Sequence, residues 1–203
     1  MKRTYKLISI ICHPILLPIV ATLSFFILNQ IPLQTSIKYK ILIIVATATY
    51  LIPLFLLYVL KKKKLIHSFE VKDIQERKIP IIFMIVLFYF LGKTLGKISE
   101  ITYLSILFLG CSLSLSICYF LFIRKIKTSI HMIGIASLLS FFIVFSIITQ
   151  TNLLLLIALI FILSGVVGHA RIYLKAHSLK EVIIGFSVGF ISPLFLFYNS
   201  VYI

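Results

Sequence analysis

Charged residues are scarce in this chain. They make up 12% of its 203 residues, and only five are Asp or Glu. A soluble domain keeps roughly a quarter of its residues charged to cover its surface. Hydrophobic residues instead reach 61%, and the mean hydropathy is +1.17. This composition excludes a soluble globular domain and predicts an all-α integral membrane protein.

Tryptophan is absent, and cysteine occurs only three times, at Cys12, Cys111 and Cys118. All three lie inside apolar stretches and lack the spacing of metal ligands. Cys111 and Cys118 are two helical turns apart on one helix face, which is typical of packing positions. No metal site and no cofactor are predicted.

Acidic residues are outnumbered by 20 Lys and Arg, which gives a formal net charge of +15. In a soluble protein this excess would suggest nucleic-acid binding. In a membrane protein, basic residues collect at the flanks of spans, where lipid headgroups are anionic. We therefore predict the lipid bilayer as a partner and no nucleic acid, and the oligomeric state stays open.

Long hydrophobic runs fill most of the chain. A bilayer core needs roughly 20 apolar residues in a helix, and the sequence predicts about seven such spans (six to seven) in a single domain, residues 1–203. The predicted spans are Leu7–Leu28, Ile41–Leu60, Ile79–Leu95, Ile101–Ile123, Ile130–Ile148, Leu153–Gly168 and Val182–Tyr198. The first predicted span follows a short basic segment like that of a signal peptide, but no convincing cleavage site comes after the span. We interpret it as a retained helix kinked near Pro14 and Pro18.

Small residues recur four apart in the last two predicted spans. Gly185 and Gly189 lie in the last span, and Ser164 and Gly168 in the sixth. Small residues let helices approach closely in lipid. This spacing predicts a compact bundle.

Polar residues collect in three clusters at the ends of spans, and the clusters are separated by two spans each. Because a pair of spans crosses the membrane and returns, all three clusters are predicted on the same face. The clusters are residues 70–80, residues 128–131, and a third comprising Arg171, His177 and Glu181.

Several side chains in these clusters suit a phosphate group. Lys72, Arg77 and Arg171 offer cationic donors, and a guanidinium matches phosphate oxygens two bonds at a time. Ser129 adds a neutral donor at the start of the fifth span, where free backbone N–H groups and the helix dipole also favour an anion.

Two histidines in the same clusters can exchange protons near neutral pH, His131 and His177. Glu181 follows His177 by four residues, within reach of an imidazole N–H. A histidine held by a carboxylate presents a fixed lone pair that can attack phosphorus, and a second histidine can protonate the leaving oxygen. The pattern predicts phosphoryl transfer without a metal.

The third cluster resembles the S-R-x5-H-x3-D signature of the type 2 phosphatidic acid phosphatase and haloperoxidase superfamily. Arg171, His177 and Glu181 fall at that spacing, with Ala170 in place of Ser and Glu in place of Asp.

Two weaker motifs precede it. The second cluster is similar to P-S-G-H, keeping Ser129 and His131. The first is similar to K-x6-R-P, keeping Lys72 and Pro80, with Arg77 two residues before the Arg position. The phosphatase-like core would cover residues 65–198.

This resemblance implies a membrane lipid phosphatase. It implies His177 as the phosphohistidine nucleophile, Glu181 as its orienting carboxylate and His131 as the general acid. Lys72, Ser129 and Arg171 are implied as phosphate ligands, and Arg77 is a candidate for the missing guanidinium. Candidate substrates are phosphatidic acid, phosphatidylglycerol phosphate and a polyprenyl diphosphate.

Other interpretations stay open. Each lysine alone is explained by contact with headgroups, and Arg77 by pairing with Asp73. The bundle as a whole could bind lipid phosphate as a silent carrier or scaffold. A small transporter is disfavoured because the span interiors contain almost no ionisable residues, His13 being the exception.

Lys and Arg are distributed unequally between the two predicted faces. The face with the three clusters has 16 of them and the other face has 4. Short cytoplasmic loops are rich in Lys and Arg. The count predicts that the clusters face the cytoplasm.

Overall fold

The computed structural model describes residues 2–28, 33–69, 71 and 73–202, and it confirms an all-α membrane bundle. Within those residues, six helical spans are long and apolar enough to cross a membrane. The α-helices are α1 (Lys2–Ile11), α2 (Leu17–Leu28), α3 (Thr35–Ala46), α4 (Ile52–Lys62), α5 (Ile74–Leu95), α6 (Thr102–Ile123), α7 (Ile130–Thr149), α8 (Leu154–Tyr173) and α9 (Leu179–Tyr202). The protein is therefore a multi-pass integral membrane protein.

Helices α3 and α4 form one span, Thr35–Lys62, joined by a π-helical turn at Thr47–Leu51. Pro53 follows this turn and has no N–H to donate to the preceding turn of the helix. In a membrane, a local π adjustment helps to satisfy the backbone groups that a proline frees. Within this turn, the Thr49 hydroxyl donates to the Val45 carbonyl one turn earlier, at 2.9 Å.

The predicted first span, Leu7–Leu28, is not one helix, and this prediction was wrong in that respect. Residues 12–16 form a turn between α1 and α2. Pro14 explains the break, because proline lacks an N–H and disfavours the helical conformation of the residue before it. Pro18 lies in the first turn of α2, where a missing N–H is tolerated.

Helix α2 nonetheless runs alongside α7 through much of the bundle. Leu17 packs near Gly134, close to the start of α7. Phe25 packs against Phe145, near its end, with ring centroids 5.5 Å apart. The broken first segment therefore enters the bundle as α2, while α1 stays at the face where α7 begins.

Helices α7 and α9 approach each other at glycines. A Cβ at Gly189 would lie 2.3 Å from the carbonyl oxygen and 2.7 Å from the Cα of Ile133. The Ser137 hydroxyl donates to the Gly189 carbonyl at 3.0 Å. The small residues predicted to allow close packing therefore bring α9 against the backbone of α7.

We expect Gly189→Ala to destabilise the bundle, because its methyl group meets the α7 backbone, which cannot rotate away as a side chain can. Overpacking typically costs about 1–3 kcal/mol, and a backbone collision belongs at the upper end. The midpoint of thermal unfolding in detergent should fall by several degrees. Gly165→Ala is the matched control, since a Cβ there meets nothing within 4 Å. Equal midpoints for both variants would contradict this packing.

Described residues of all three polar clusters lie on one face of the bundle, as predicted. Arg77 near the start of α5, His131 at the start of α7 and Arg171 near the end of α8 line a common cavity. We call the end of the bundle that contains these residues the site face.

Candidate functional site

The polar residues of the site face meet at one end of a cavity of about 210 Å³ among α2, α4, α5, α6 and α7. Four of the predicted site residues line this cavity: Arg77, His131, Arg171 and His177. The structure thus brings together both histidines and both arginines that the sequence singled out, from segments up to 100 positions apart.

The turn after α8 places His177 next to Arg171. Lys175 adopts a left-handed conformation with φ 54°, which reverses the chain at the helix end. The Arg171 carbonyl then accepts the N–H groups of Ala176 at 3.1 Å and of His177 at 3.3 Å. The loop folds back over the last turn of α8 and directs His177 into the cavity.

The first turn of α9 places Glu181 against His177. The Glu181 N–H donates to the Ser178 hydroxyl at 3.3 Å, which caps the helix in the manner of an S-x-x-E sequence. The Glu181 carboxylate reaches back to His177, with 2.6 Å between Oε2 and Nδ1. With Nδ1–H donating to the carboxylate, the Nε2 atom of His177 has the lone pair.

His177 lies outside the membrane-spanning helices but is deeply buried, with 2% of its side chain exposed. Burial lowers the pKa of His177 to about 4. Glu181 opposes this shift, and the positive charges of Arg77, Arg171 and Lys127 reinforce it. The imidazole is therefore neutral at physiological pH, which is the form that can act as a nucleophile.

A histidine titration followed by NMR checks this ionisation. We expect His177 to stay neutral down to about pH 4. The exposed His67, by contrast, should stay protonated above its ordinary pKa of 6.5, because Glu76 bonds its ring and raises that pKa. Assignments would use His177→Gln and His67→Gln.

The same shift has a consequence for stability. Between about pH 4 and 6.5 the unfolded chain binds a proton at His177 that the folded chain does not, so His177 makes the protein less stable as pH falls through this window. In the NMR titration, a midpoint near pH 6.5 for His177 would contradict its buried environment beside several cations.

Ser9 of α1 is a site residue that the sequence analysis missed. Its hydroxyl accepts a hydrogen bond from Nη1 of Arg171 at 2.6 Å. Nε2 of His131 lies 3.2 Å from the Ser9 carbonyl oxygen and 3.4 Å from its hydroxyl. The buried Ser9 therefore joins α1 to both the arginine and the histidine, and a lone serine in an apolar segment gives no sequence signal of this.

Lys127 was also missed, and His13 was noted in the sequence only as an ionisable residue within a predicted span. His13 lines the cavity, and its ring lies 5.1 Å from that of His131, edge to face. Burial, and then the charge of Arg171, lower the pKa of His13. Lys127 donates to the Ala176 carbonyl at 3.0 Å, which ties the α6–α7 loop to the loop of His177.

Arg77 is buried, and its Nε donates to the Val71 carbonyl at 2.7 Å. Val71 has φ 43°, a left-handed conformation that β-branched residues rarely adopt. This conformation directs the Val71 carbonyl toward the Arg77 guanidinium. The Nη groups of Arg77 can still donate to an anion.

One predicted phosphate ligand, Ser129, does not line the cavity. It is fully buried and donates its N–H to the Glu181 carbonyl at 3.2 Å. Its hydroxyl has no hydrogen-bond partner within the described part of the chain. Lys72 lies outside the described residues.

The assembled groups can bind an anion and attack it. Two guanidinium groups and a neutral histidine with a fixed tautomer surround one end of the cavity, and a second histidine lies beside them. No group of three or more His, Cys, Asp or Glu among the residues that the structure describes is placed to share a metal ion. Comparisons with protein-family models, with curated proteins and with solved structures return no match for this chain.

Proposed function

We propose that the protein is a membrane-embedded phosphatase or phosphotransferase that acts on a lipid phosphate ester or diphosphate through a phosphohistidine. The main support is the cavity at the site face, which the His177 ring and the guanidinium groups of Arg77 and Arg171 all line. The spacing of Arg171, His177 and Glu181, which resembles the signature of the type 2 phosphatidic acid phosphatase superfamily, supports the same chemistry.

In this proposal His177 is the nucleophile. Its Nε2 lone pair forms a bond to phosphorus while the bond from phosphorus to the ester oxygen breaks. Glu181 holds Nδ1–H and stabilises the positive charge that develops on the ring. Arg77 and Arg171 stabilise the charge on the equatorial oxygens, which is where most of the rate gain arises in phosphoryl transfer.

His131 handles the proton in both halves of the reaction. It donates a proton to the departing alkoxide, which leaves as an alcohol. In the second half it accepts a proton from water as the water oxygen attacks phosphorus and the N–P bond breaks. Inorganic phosphate is released and His177 returns to its neutral form. An alcohol in place of water makes the reaction a phosphotransfer.

A single-turnover experiment tests this proposal. Purified protein is mixed with lipid phosphate labelled with ³²P, with and without chelator, and quenched in alkali. A phosphoenzyme that survives alkali and is lost in acid is expected, because a phosphorus–nitrogen bond is acid-labile. Phosphate release should be unchanged by chelator. Binding of the labelled lipid with no phosphoenzyme and no phosphate release would contradict it.

That contrary result would favour a second candidate, a silent bundle that binds lipid phosphate as a carrier or scaffold. The placement of Ser129 favours this alternative, since its hydroxyl does not reach the cavity. A site that lacks one phosphate donor retains charge complementarity through its two arginines while losing some stabilisation of the transition state.

We also propose that the site face is cytoplasmic, because most of the basic residues flank it. A cysteine at Lys63, in a variant without the three native cysteines, should react with a membrane-impermeant thiol reagent only after lysis. A cysteine at Gln150, in the exposed α7–α8 loop on the opposite face, is the matched control and should react in intact cells. The reverse labelling pattern would place the site outside.

A further inference from the structure

Helix α1 makes only a narrow contact with the rest of the protein. Within the described residues it packs mainly on α8, where the Tyr5 ring lies 5.3 Å from that of His169 and 4.4 Å from that of Tyr173. One turn later the buried Ser9 meets the site. A helix of 10 residues is marginal by itself, since isolated helices shorter than about 12–15 residues rarely form in water. Helix α1 therefore needs a partner on its remaining surface.

The remaining surface of α1 has the chemistry of a helix at a membrane surface. With about 3.6 residues per turn, its outward positions form two adjoining stripes along the helix. The apolar stripe is exposed by 58%, 63% and 69% at Leu7, Ile10 and Ile11. The basic stripe is also exposed, and it consists of Lys2, Arg3 and Lys6.

Nothing in the described protein neutralises the basic stripe. Helix α1 contains no acidic residue, and none of its three basic side chains is in an ion pair within the described part of the chain. An apolar stripe beside a basic one fits the boundary between acyl chains and anionic headgroups. The partner that this surface matches is therefore the anionic surface of a lipid leaflet.

We propose that anionic headgroups of the surrounding leaflet hold α1 against α8, and that α1 in turn positions Arg171 and His131 through Ser9. With α1 in place, the Ser9 hydroxyl lies 2.6 Å from Nη1 of Arg171 and the Ser9 carbonyl oxygen 3.2 Å from Nε2 of His131. Release of α1 removes both contacts at once. These headgroups belong to the bulk lipid and not to a molecule in the cavity. Only the effect on turnover rests on the proposed function.

The charges on α1 are sufficient for such an effect. Each Lys or Arg near an anionic surface favours the bound helix by roughly fivefold, and three of them by roughly 100-fold. A hydrogen bond to a charged group is worth roughly 10–100-fold in an equilibrium constant. The lipid contact and the Ser9 contact are therefore of similar size, and one can control the other.

Hydrogen–deuterium exchange of α1 tests the lipid contact without any catalysis. The full chain is reconstituted in nanodiscs of phosphatidylcholine, with or without phosphatidylglycerol. We expect the α1 amides to exchange up to roughly 100-fold more slowly in the anionic discs. Equal exchange in both lipids would overturn the inference.

Two charge variants show which residues the lipid contacts. The first replaces the basic stripe with glutamine, at Lys2, Arg3 and Lys6, and should lose the slowing. Its matched control carries glutamine in place of an exposed basic run on the same face, at Lys62, Lys63 and Lys64, and should keep the slowing. The same loss in both variants would place the lipid contact outside α1 and overturn the inference.

Ser9→Ala tests the link from α1 to the site. The affinity for inorganic phosphate is measured by titration calorimetry for wild type and Ser9→Ala in both kinds of disc. An anionic surface repels phosphate equally from both proteins, so the ratio of their affinities isolates the contribution of Ser9. We expect a ratio of roughly 10–100 in anionic discs and a ratio near one in neutral discs.

Ser9→Ala keeps the charges of α1, so its α1 exchange should still depend on the lipid, which shows that the variant is folded. Ser9→Thr restores the hydroxyl and should restore the affinity. A ratio that is the same in both lipids would overturn the positioning role of Ser9.

A further anionic amphiphile separates surface charge from a headgroup bound in the cavity. Cholesteryl hemisuccinate has a carboxylate and no phosphate, and it should slow α1 exchange as phosphatidylglycerol does. Slowing by phosphatidylglycerol alone would point to its phosphate in the cavity and overturn the inference.

The outcomes also separate this inference from the proposed function. Lipid-dependent α1 exchange that the basic-stripe variant loses supports the lipid contact, even if no phosphate is released and the enzymatic proposal fails. Phosphate release by a protein whose α1 exchange ignores the lipid overturns the lipid contact and leaves the enzyme.

Discussion

His177→Ala is expected to abolish phosphate release and phosphoenzyme formation together. The substitution removes the nitrogen that attacks phosphorus, and no other imidazole has a carboxylate partner in the cavity among the described residues. We expect kcat to fall by at least about 10⁴-fold, as is typical when a covalent nucleophile is lost. Rapid-quench measurement of ³²P-labelled protein follows both quantities in one experiment.

His67→Ala is the matched control. His67 also bonds a glutamate, Glu76, but 95% of its side chain is exposed and it does not line the cavity. It should retain wild-type turnover. Near-normal phosphate release by His177→Ala would show that another group attacks phosphorus or that the cavity is not the active site.

His131→Ala has the second-largest expected effect. Loss of a general acid slows a reaction by roughly 10²–10⁴-fold, and here it should slow phosphoenzyme formation while sparing substrate binding. His131 also contacts the Ser9 carbonyl through Nε2. A leaving oxygen that reaches this nitrogen therefore replaces the Ser9 carbonyl as its hydrogen-bond partner. The rate of the single-turnover burst measures the effect directly.

The choice of leaving group separates general-acid catalysis from a structural role. An aryl phosphate with an acidic phenol departs without protonation, so His131→Ala should lose much less activity on it than on an alkyl phosphate. A structural defect would slow both substrates equally. Equal losses on the two substrates would therefore exclude His131 as the general acid.

The sequence predicted the helices well where a local pattern determines them. Long apolar runs fixed six of the spans, since in lipid the backbone must satisfy its own hydrogen bonds. The first span was mispredicted because a run of apolar residues does not show whether Pro14 kinks the helix or ends it. The broken helix instead leaves α1 at the site face, where its Tyr5 packs on Tyr173 of α8 with ring centroids 4.4 Å apart.

The sequence predicted those site contacts that join residues close together in the chain. The His177–Glu181 contact follows from four positions of separation and a capped helix start. The contacts of Ser9 with His131 and Arg171 link residues 122 and 162 positions apart, and no local pattern encodes them. The burial of Ser129 away from the cavity has a related cause: α9 packs so closely at Gly185 that a Cβ there would lie 2.6 Å from the Ser129 carbonyl oxygen.

The separation of Ser9 and Arg171 along the chain also means that the site is assembled late in synthesis. The two residues are 162 positions apart, so at roughly 5–20 residues per second the ribosome adds Arg171 roughly 8–30 s after Ser9. His177 and Glu181 follow later still. A nascent chain arrested before α9 has much of the bundle but lacks Glu181, the carboxylate partner of His177, so in the proposed mechanism it is inactive until its last helix is in place.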